Sequence, residues 1–210
     1  MLEAWSFLLE SALKLPAEIE ALNYDLIEVT RESLDLMLDQ QYLKVMKTYF
    51  KNESESFANE TDTFLDIVQD LDLLLSTNEH FMIGPWLEKA QNLGPNYEFM
   101  ARNLITLWGP EGNILDYARR TWSGIVMDYY YQRWSLFFRQ LKQPMSGLKK
   151  FKQKNYYKKF MTSIGLPFSL GRKKYPLKPR SDTLKTVRHL HEKWRFNFQF
   201  EHDYQWQLLE

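Results

Sequence analysis

The sequence feature that most constrains the fold is a turn rich in glycine and proline within residues 104–118. An apolar stretch ends at Trp108, and the run Gly-Pro-Glu-Gly occupies residues 109–112. A helix does not continue through this run, because proline lacks an amide donor and glycine favours turns. The pattern therefore predicts one helix before the turn and a second that Asn113 caps, with Asp116 near the positive end of the helix dipole.

Trp108, Ile114 and Tyr117 bracket this turn at one end of the predicted helices. Large side chains near a turn usually pack at a helix end, with any polar atom hydrogen-bonded. On spacing alone, packing is the simpler interpretation, and contact with a ligand or another domain is the alternative. We expect the nearby Glu111 and Asp116 to cap a helix or face solvent rather than to act in catalysis.

Apolar residues recur at helical spacing along most of the chain. The pattern predicts six helices, over residues 2–14, 23–51, 64–75, 84–94, 97–107 and 113–143. Asn23 is the predicted cap of the second helix, and a polar stretch over residues 52–61 precedes the third. The longest of these carries a stripe of aromatic side chains, which is typical of a central, buried helix: Trp122, Tyr129, Trp134 and Phe138. Residues 150–163 are compatible with a basic helix, whereas 164–180 contains too much glycine and proline for regular structure. Ser181 is predicted to cap a last helix.

The predicted fold is an all-α, irregular multi-helix bundle that forms a single domain over residues 1–210. With 44% hydrophobic and 16% aromatic residues, a chain of 210 residues can bury one sizeable core. Residues 195–210 are expected to form an irregular or extended tail, because the aromatic residues between 196 and 206 fall on even positions.

Charge is unevenly distributed although the formal net charge is zero. Residues 1–128 hold 9 Lys and Arg against 22 Asp and Glu, whereas residues 129–181 hold 14 basic residues and no acidic one. Basic residues among aromatics suit a nucleic-acid surface. A charge run is more often a solvated face or a partner for an acidic region of the same molecule, so we expect neither nucleic acid nor a membrane as a partner.

The sequence contains no cysteine, which excludes disulfides and thiolate metal sites. The four histidines show no zinc spacing, and His189 and His191 would point to different sides of a helix. We therefore expect no metal and no cofactor. The segment after Met1 is not a secretion signal, and no stretch is apolar enough for a transmembrane helix. Asn52 and Asn59 begin sequons for N-glycosylation, which matter if the protein enters the secretory pathway.

The turn and several other segments resemble the C-terminal helical domain of the alpha-N-acetylglucosaminidase family. The members of this family are retaining glycoside hydrolases. The most specific segment is Leu-Trp-Gly-Pro-Glu-Gly-Asn-Ile-Leu-Asp-Tyr at residues 107–117. Similarity covers most of the chain, in segments 3–12, 24–31, 81–88, 103–117, 128–134 and, more faintly, 175–182. The tail has no counterpart in this resemblance.

The resemblance implies that a catalytic barrel outside this sequence carries both catalytic glutamates, and that the helical domain, here without its first part, packs on the barrel. No catalytic residue is then expected in this chain. Trp108, Ile114 and Tyr117 match family positions that line the sugar pocket. Trp108 would present a flat apolar face to the pyranose ring or the N-acetyl group, Tyr117 would add a hydroxyl group, and Ile114 would shape the wall.

The function expected from the resemblance is one wall of a pocket for terminal alpha-linked N-acetylglucosamine in heparan sulfate-type glycans, in a lysosomal or secreted enzyme. The expected partners are the catalytic barrel of the same enzyme and the N-acetylglucosamine-terminated glycan; homo-oligomerisation is left open. The alternative is a stand-alone, non-catalytic helical interaction module derived from the enzyme. An exposed apolar patch favours the enzyme domain, because an adapted module should carry polar residues there.

Overall fold

The computed structural model describes residues 1–15, 19–109, 112, 114–147 and 150–196. Within these ranges the fold is all-α, as predicted, and the extended backbone amounts to an isolated bridge that pairs Met82 with Ser123. No helix in the same ranges is both long and apolar enough to span a bilayer. The predicted cap at Asn113 and the predicted tail beyond Phe196 lie outside the described residues.

The α-helices are α1 (Leu2–Leu13), α2 (Glu20–Phe50), α3 (Ser54–Leu75), α4 (Ile83–Leu93), α5 (Pro95–Leu104), α6 (Gln132–Met145), α7 (Gln153–Phe160), α8 (Leu166–Leu170) and α9 (Thr183–Trp194). Glu79–Phe81 forms a turn of 3-10 helix, and Val126–Tyr131 and Met161–Gly165 are π-helical. The first π-helical segment runs directly into α6, and the second joins α7 to α8. Each therefore belongs to one continuous helical rod.

Helices α1, α2, α3 and α9 enclose a first core, which contains Leu34, Phe64 and Trp194. The two helices most distant in sequence, α1 and α9, are in contact. The Trp5 ring meets the His191 ring edge-on with centroids 4.9 Å apart, and Ser6 Oγ lies 2.8 Å from His191 Nε2. The first core is therefore completed by the last described helix.

A second core lies between α4, α5, the π-helical segment Val126–Tyr131 and the α7–α8 rod. Its buried members include Leu107, Tyr129 and Phe160. Trp122 and Tyr130 pack against both cores. The predicted central position of the aromatic helix is thereby confirmed, and the turn after α5 leads to the segment that joins the two cores.

The predicted helix 113–143 is wrong over its first part, because residues 114–124 form turns and irregular backbone and the helix begins at Ile125. The amides of this stretch bond to other elements instead. The N–H of Ser123 donates to the Phe81 carbonyl at 2.7 Å, and the N–H of Gly124 donates to Asp72 Oδ1 at 2.6 Å. Tertiary partners therefore replace the intrahelical bonds that the aromatic pattern predicted.

Several other predictions differ from the structure, among them the irregular backbone expected over residues 164–180, where residues 166–170 form α8 because Pro167 lies in its first turn. Asn23 is not a cap, because α2 begins at Glu20 and the Asn23 N–H donates to the Ile19 carbonyl at 3.0 Å. The polar stretch 52–61 is mostly helical from Ser54 onward, since its polar residues form the solvent face of α3. Asp182, rather than Ser181, caps α9, and its Oδ1 accepts from the Lys185 N–H at 2.6 Å.

Candidate functional site

The turn after α5 places two non-glycine residues in the left-handed backbone region. Trp108 has a φ of +49° and Asp116 a φ of +59°. Such angles are uncommon for residues that carry a Cβ, and they persist only where the surroundings hold them. Gly109 and Gly112 also have positive φ values, of +129° and +66°, where glycine is favoured.

Asn103, in the last turn of α5, holds the start of this turn. Its backbone carbonyl accepts from the Trp108 N–H at 2.8 Å, and its side-chain Oδ1 accepts from the Gly109 N–H at 2.7 Å. Asn103 Nδ2 donates to the Gly109 carbonyl at 3.1 Å and to Ser169 Oγ at 3.2 Å. One side chain thus fixes the exit from α5 and ties it to α8.

Asp116 holds the far end of the turn. Its N–H donates to the Thr106 carbonyl at 2.7 Å, and its carboxylate forms an ion pair with Arg133 of α6. The Arg133 guanidinium also lies over the Phe160 ring, 4.9 Å from its centroid. The expectation that Asp116 caps a helix or faces solvent is wrong, because the described backbone after it is not helical before Ile125 and its carboxylate anchors the turn to the second core.

The same carboxylate affects a buried tyrosine. Burial is the main cause that raises the pKa of Tyr129 above its usual value, and the negative charge of Asp116 raises it further. The phenol therefore stays protonated at physiological pH and can donate a hydrogen bond but does not act as a base. Tyr129 is fully buried in the second core, which assigns it to packing, as its spacing predicted.

The middle of the turn rests on α7. Tyr157 Oη donates to the Gly112 carbonyl at 3.1 Å. A Cβ at Gly112 would lie 3.1 Å from Met161 Cε and 3.2 Å from Tyr157 Oη, so a larger residue would push these side chains away. The turn is therefore supported by α5, α6 and α7 together.

The structure brings the three predicted sugar-contacting residues to this one turn. The Trp108 and Tyr117 rings have centroids 4.9 Å apart, with an angle of 60° between their planes. The Tyr117 N–H donates to the Ile114 carbonyl at 3.3 Å. Trp108 is half-buried, whereas Ile114 is 50% and Tyr117 71% exposed. Ordinary packing at a helix end therefore does not account for Ile114 or Tyr117.

An open cleft of about 670 Å³ lies between α2 and the helix that follows the turn. Arg119 and Thr121, which come just after Tyr117, line it together with Asp35, Asp39 and Trp134. Burial raises the pKa of Asp35 from 3.8 to about 6, although the nearby Arg31 lowers it. The cleft thus contains a carboxyl group that changes its charge in mildly acidic solution.

Sequence reasoning missed the residues that hold the turn, namely Asn103, Arg133 and Tyr157. Each acts through a contact between residues distant in sequence, such as Tyr157 with Gly112 and Arg133 with Asp116. Asn103 carried a local signal, because a polar side chain in the last turn of a helix often bonds to the backbone that follows.

The remaining predicted sites lie apart from the turn. Asn52 and Asn59 are exposed, at the turn after α2 and on α3, and glycosylation of either stays a prediction. The hydroxyl of Thr61, in the second sequon, donates to the Ala58 carbonyl at 2.9 Å. In the part of the chain that the structure describes, no three His, Cys, Asp or Glu side chains come together in a way that could hold a metal ion.

Comparison with known proteins identifies relatives over most of the chain. The family model of the alpha-N-acetylglucosaminidase (NAGLU) C-terminal domain matches residues 1–193. The alpha-N-acetylglucosaminidase of Homo sapiens is 33% identical over 199 residues, which cover 91% of this chain and 26% of the human protein. The chain therefore spans only a small part of that relative's length.

Solved structures of the family 89 glycoside hydrolase from Clostridium perfringens have the same fold. The complexes with PUGNAc and with 2-acetamido-1,2-dideoxynojirmycin give TM-scores of 0.79 and 0.80, at 23% and 24% identity. Each match covers 91% of this chain and 23% of the bacterial chain. From the family match and the human relative, the chain belongs to the alpha-N-acetylglucosaminidase family, as its C-terminal domain.

Proposed function

We propose that this domain forms one wall of a pocket for terminal alpha-linked N-acetylglucosamine in a longer glycoside hydrolase. Trp108 offers the face of its ring to the pyranose ring or the N-acetyl methyl group, Tyr117 offers its hydroxyl group, and Ile114 shapes the wall. The observation that carries the proposal is the contact between the half-buried Trp108 ring and the exposed Tyr117 ring on a turn held from three helices. Aromatic faces with an adjacent polar tip suit a sugar, which is apolar on its ring faces and polar at its edge.

The relatives support this ligand class. The Clostridium perfringens enzyme has been solved with GlcNAc-alpha-1,4-galactose, described as its substrate. We extend this class to the protein that contains the present chain, with heparan sulfate-type glycans as the natural source and a lysosomal or secreted location. The catalytic carboxylates then come from the preceding catalytic domain, and the 210-residue chain alone should not hydrolyse an aryl alpha-N-acetylglucosaminide.

An exposed apolar face on α5 supports docking to that catalytic domain. Tyr97, Met100 and Leu104 recur at helical spacing and are 51%, 61% and 40% exposed. They lead directly into the turn that carries Trp108. Apolar side chains grouped on one exposed helix face mark an interaction site. This face also favours the enzyme domain over the stand-alone interaction module, which should present polar residues there.

The proposal is tested by Trp108→Ala in the protein that joins this chain to its catalytic domain. Loss of the ring face should lower kcat/KM for an aryl alpha-N-acetylglucosaminide about tenfold or more, since one lost aromatic contact is worth about 1 to 3 kcal/mol. The matched control is Trp86→Ala, which removes another partly exposed indole, on α4. Unchanged kinetics in Trp108→Ala, or an equal loss in both variants, contradicts the pocket wall.

A further inference from the structure

A cavity of about 390 Å³ lies where α6, α7 and the segment between them meet. Four lysines line it: Lys150, Lys152, Lys158 and Lys159. The amide side chains of Gln140, Gln143 and Asn155 and the hydroxyl of Thr162 complete its polar lining. The lining contains no carboxylate. The cavity therefore offers ammonium groups and neutral hydrogen-bonding groups to a ligand, and its electrostatic potential is positive.

These lysines are not neutralised by the acidic half of the molecule. Arg133 and Lys173 do pair across to Asp116 and Asp128. By contrast, the four lysines of the cavity form no ion pair within the described ranges, and all four are exposed. The basic stretch therefore does not pair with acidic residues of the same molecule at this cavity. Its lysines can instead bind an anion from solution.

The packing of the aromatic residues in the same stretch argues against nucleic acid and against a membrane surface as the ligand of this cavity. Phe151 and Tyr156 pack against Phe137, with ring centroids 5.9 Å and 5.6 Å away, and Phe160 is buried. The Tyr156 and Phe160 rings are therefore not available to stack on nucleic-acid bases. Phe151, which also lines the cavity, is partly buried against Phe137. On α7 itself Phe160 is buried, and the 38% exposed Tyr157 has its hydroxyl bonded to the Gly112 carbonyl, so the helix presents no broad apolar face to a bilayer.

We propose that this lysine cavity binds the anionic groups of a sulfated polysaccharide, at a site separate from the Trp108 turn. Ammonium groups pair with sulfate as point charges, and the surrounding amides donate to sulfate and hydroxyl oxygens. Helix α7 links the two sites, because Tyr157 supports the turn while Lys158 and Lys159 line the cavity. The anion site rests on the charge and packing of the described residues, whereas the choice of a sulfated glycan as its ligand rests on the proposed function.

The test measures binding of a highly sulfated octasaccharide to the 210-residue chain by titration calorimetry at several salt concentrations. The variant carries Lys152→Glu, Lys158→Glu and Lys159→Glu. Its matched control carries Lys14→Glu, Lys47→Glu and Lys89→Glu, which make the same change in net charge at exposed positions at the end of α1, on α2 and on α4. Circular dichroism confirms that each variant is folded, and the corresponding Lys→Gln triple repeats the test without added negative charge.

The cavity variant should bind the octasaccharide at least about tenfold more weakly, and the slope of log K against log salt should decrease in magnitude by about two. The control triple should change binding less than about twofold, and a desulfated octasaccharide should not bind. The proposal is overturned by equal losses in the two triples, by absence of binding, or by retention of affinity in the folded Lys→Gln variant. Tighter binding to an oligodeoxythymidine or to anionic lipid vesicles would also overturn it.

Discussion

The side-chain amide of Asn103 holds both backbone polar atoms of Gly109, accepting from its N–H at 2.7 Å and donating to its carbonyl at 3.1 Å. The Asn103 amide thus forms the same pair of hydrogen bonds with Gly109 that a neighbouring peptide group would form. Trp108, the residue before Gly109, has a positive φ that this pairing helps to hold. The position of the Trp108 and Tyr117 rings therefore depends on the side chain of Asn103, which itself faces the protein.

Asn103→Ala should lower the free energy of unfolding by about 2 kcal/mol, because it leaves both polar atoms of Gly109 without their partner. In the enzyme with its catalytic domain, the variant should also raise KM, since the Trp108 ring loses its fixed position. Urea denaturation and steady-state kinetics measure the two effects. Asn59→Ala, which removes an exposed amide from α3, should change stability by less than about 0.5 kcal/mol. Similar values for the two variants would contradict the role of Asn103.

Gly124→Ala should be more destabilising than the same change at another glycine with positive φ. Gly124 has a φ of +96°, and a Cβ there would lie 2.7 Å from Ile83 Cγ2 and 2.7 Å from Tyr175 Cδ1. We expect a loss of about 2 to 3 kcal/mol from strain and overpacking. Gly147→Ala is the control, since its φ is +71° but nothing lies within 4 Å of the added Cβ. It should cost about 1 kcal/mol by thermal denaturation, and equal losses would show that sterics at Gly124 are unimportant.

Arg102→Met should destabilise the domain by about 3 kcal/mol, because it leaves the buried Glu98 carboxylate without its cation. Arg102 is 1% exposed, and its Nη2 donates to Glu98 Oε1 at 2.8 Å and to the Lys173 carbonyl at 2.7 Å. The double change Arg102→Met with Glu98→Gln should recover part of this loss. Arg139→Met, at an exposed arginine on α6, should be nearly neutral. Chemical denaturation of the four proteins tests this, and no recovery in the double variant would contradict it.

The stability of the domain should depend on pH through Asp35. Burial raises the pKa of Asp35 from 3.8 to about 6 in the folded state. Between these two pH values the folded state binds more protons than the unfolded state. The contribution of Asp35 to the free energy of unfolding therefore falls as the pH rises from about 4 to about 6, and it stays at the lower value above pH 6. The difference in free energy of unfolding between Asp35→Asn and the unmodified chain should therefore shift in favour of the variant by about 1 to 2 kcal/mol from pH 4 to pH 7.

Urea denaturation across this pH range measures the difference. Asp25→Asn, which changes an exposed carboxylate on the same helix but outside the cleft, is the control and should leave the pH profile nearly unchanged. If the profiles of Asp35→Asn and the unmodified chain run parallel, Asp35 does not titrate in this window.

The fold class and most helices could be predicted from the sequence because their signals are local. The apolar spacing of Trp5, Leu9 and Ala12 gives α1, and the pairs Gly84-Pro85 and Gly94-Pro95 mark α4. Residues 114–124 could not be predicted in this way. Their sequence has helical spacing, but Asp72, Phe81 and Thr106 compete for their backbone amides, and these partners are identified only by the tertiary structure.

The candidate site likewise contains residues that the sequence could identify and residues that only the tertiary structure identifies. Trp108, Ile114 and Tyr117 could be selected from the sequence through the turn and its family resemblance, and the structure adds that Ile114 and Tyr117 are exposed. Spacing gave no reason to select Arg133 or Tyr157, because each reaches the turn from a helix that follows later in the chain. The lysine cavity likewise depends on α6 and α7 lying side by side.

The contact of α1 with α9 has a consequence for synthesis of the protein. Trp5 is synthesised long before His191, against which it packs and which belongs to the last described helix. During translation, α1, α2 and α3 therefore emerge with part of their apolar surface uncovered until the residues of α9 leave the ribosome. In that interval the nascent chain is exposed to aggregation, and a premature stop before Thr183 should yield a product that chaperones retain instead of a smaller stable domain.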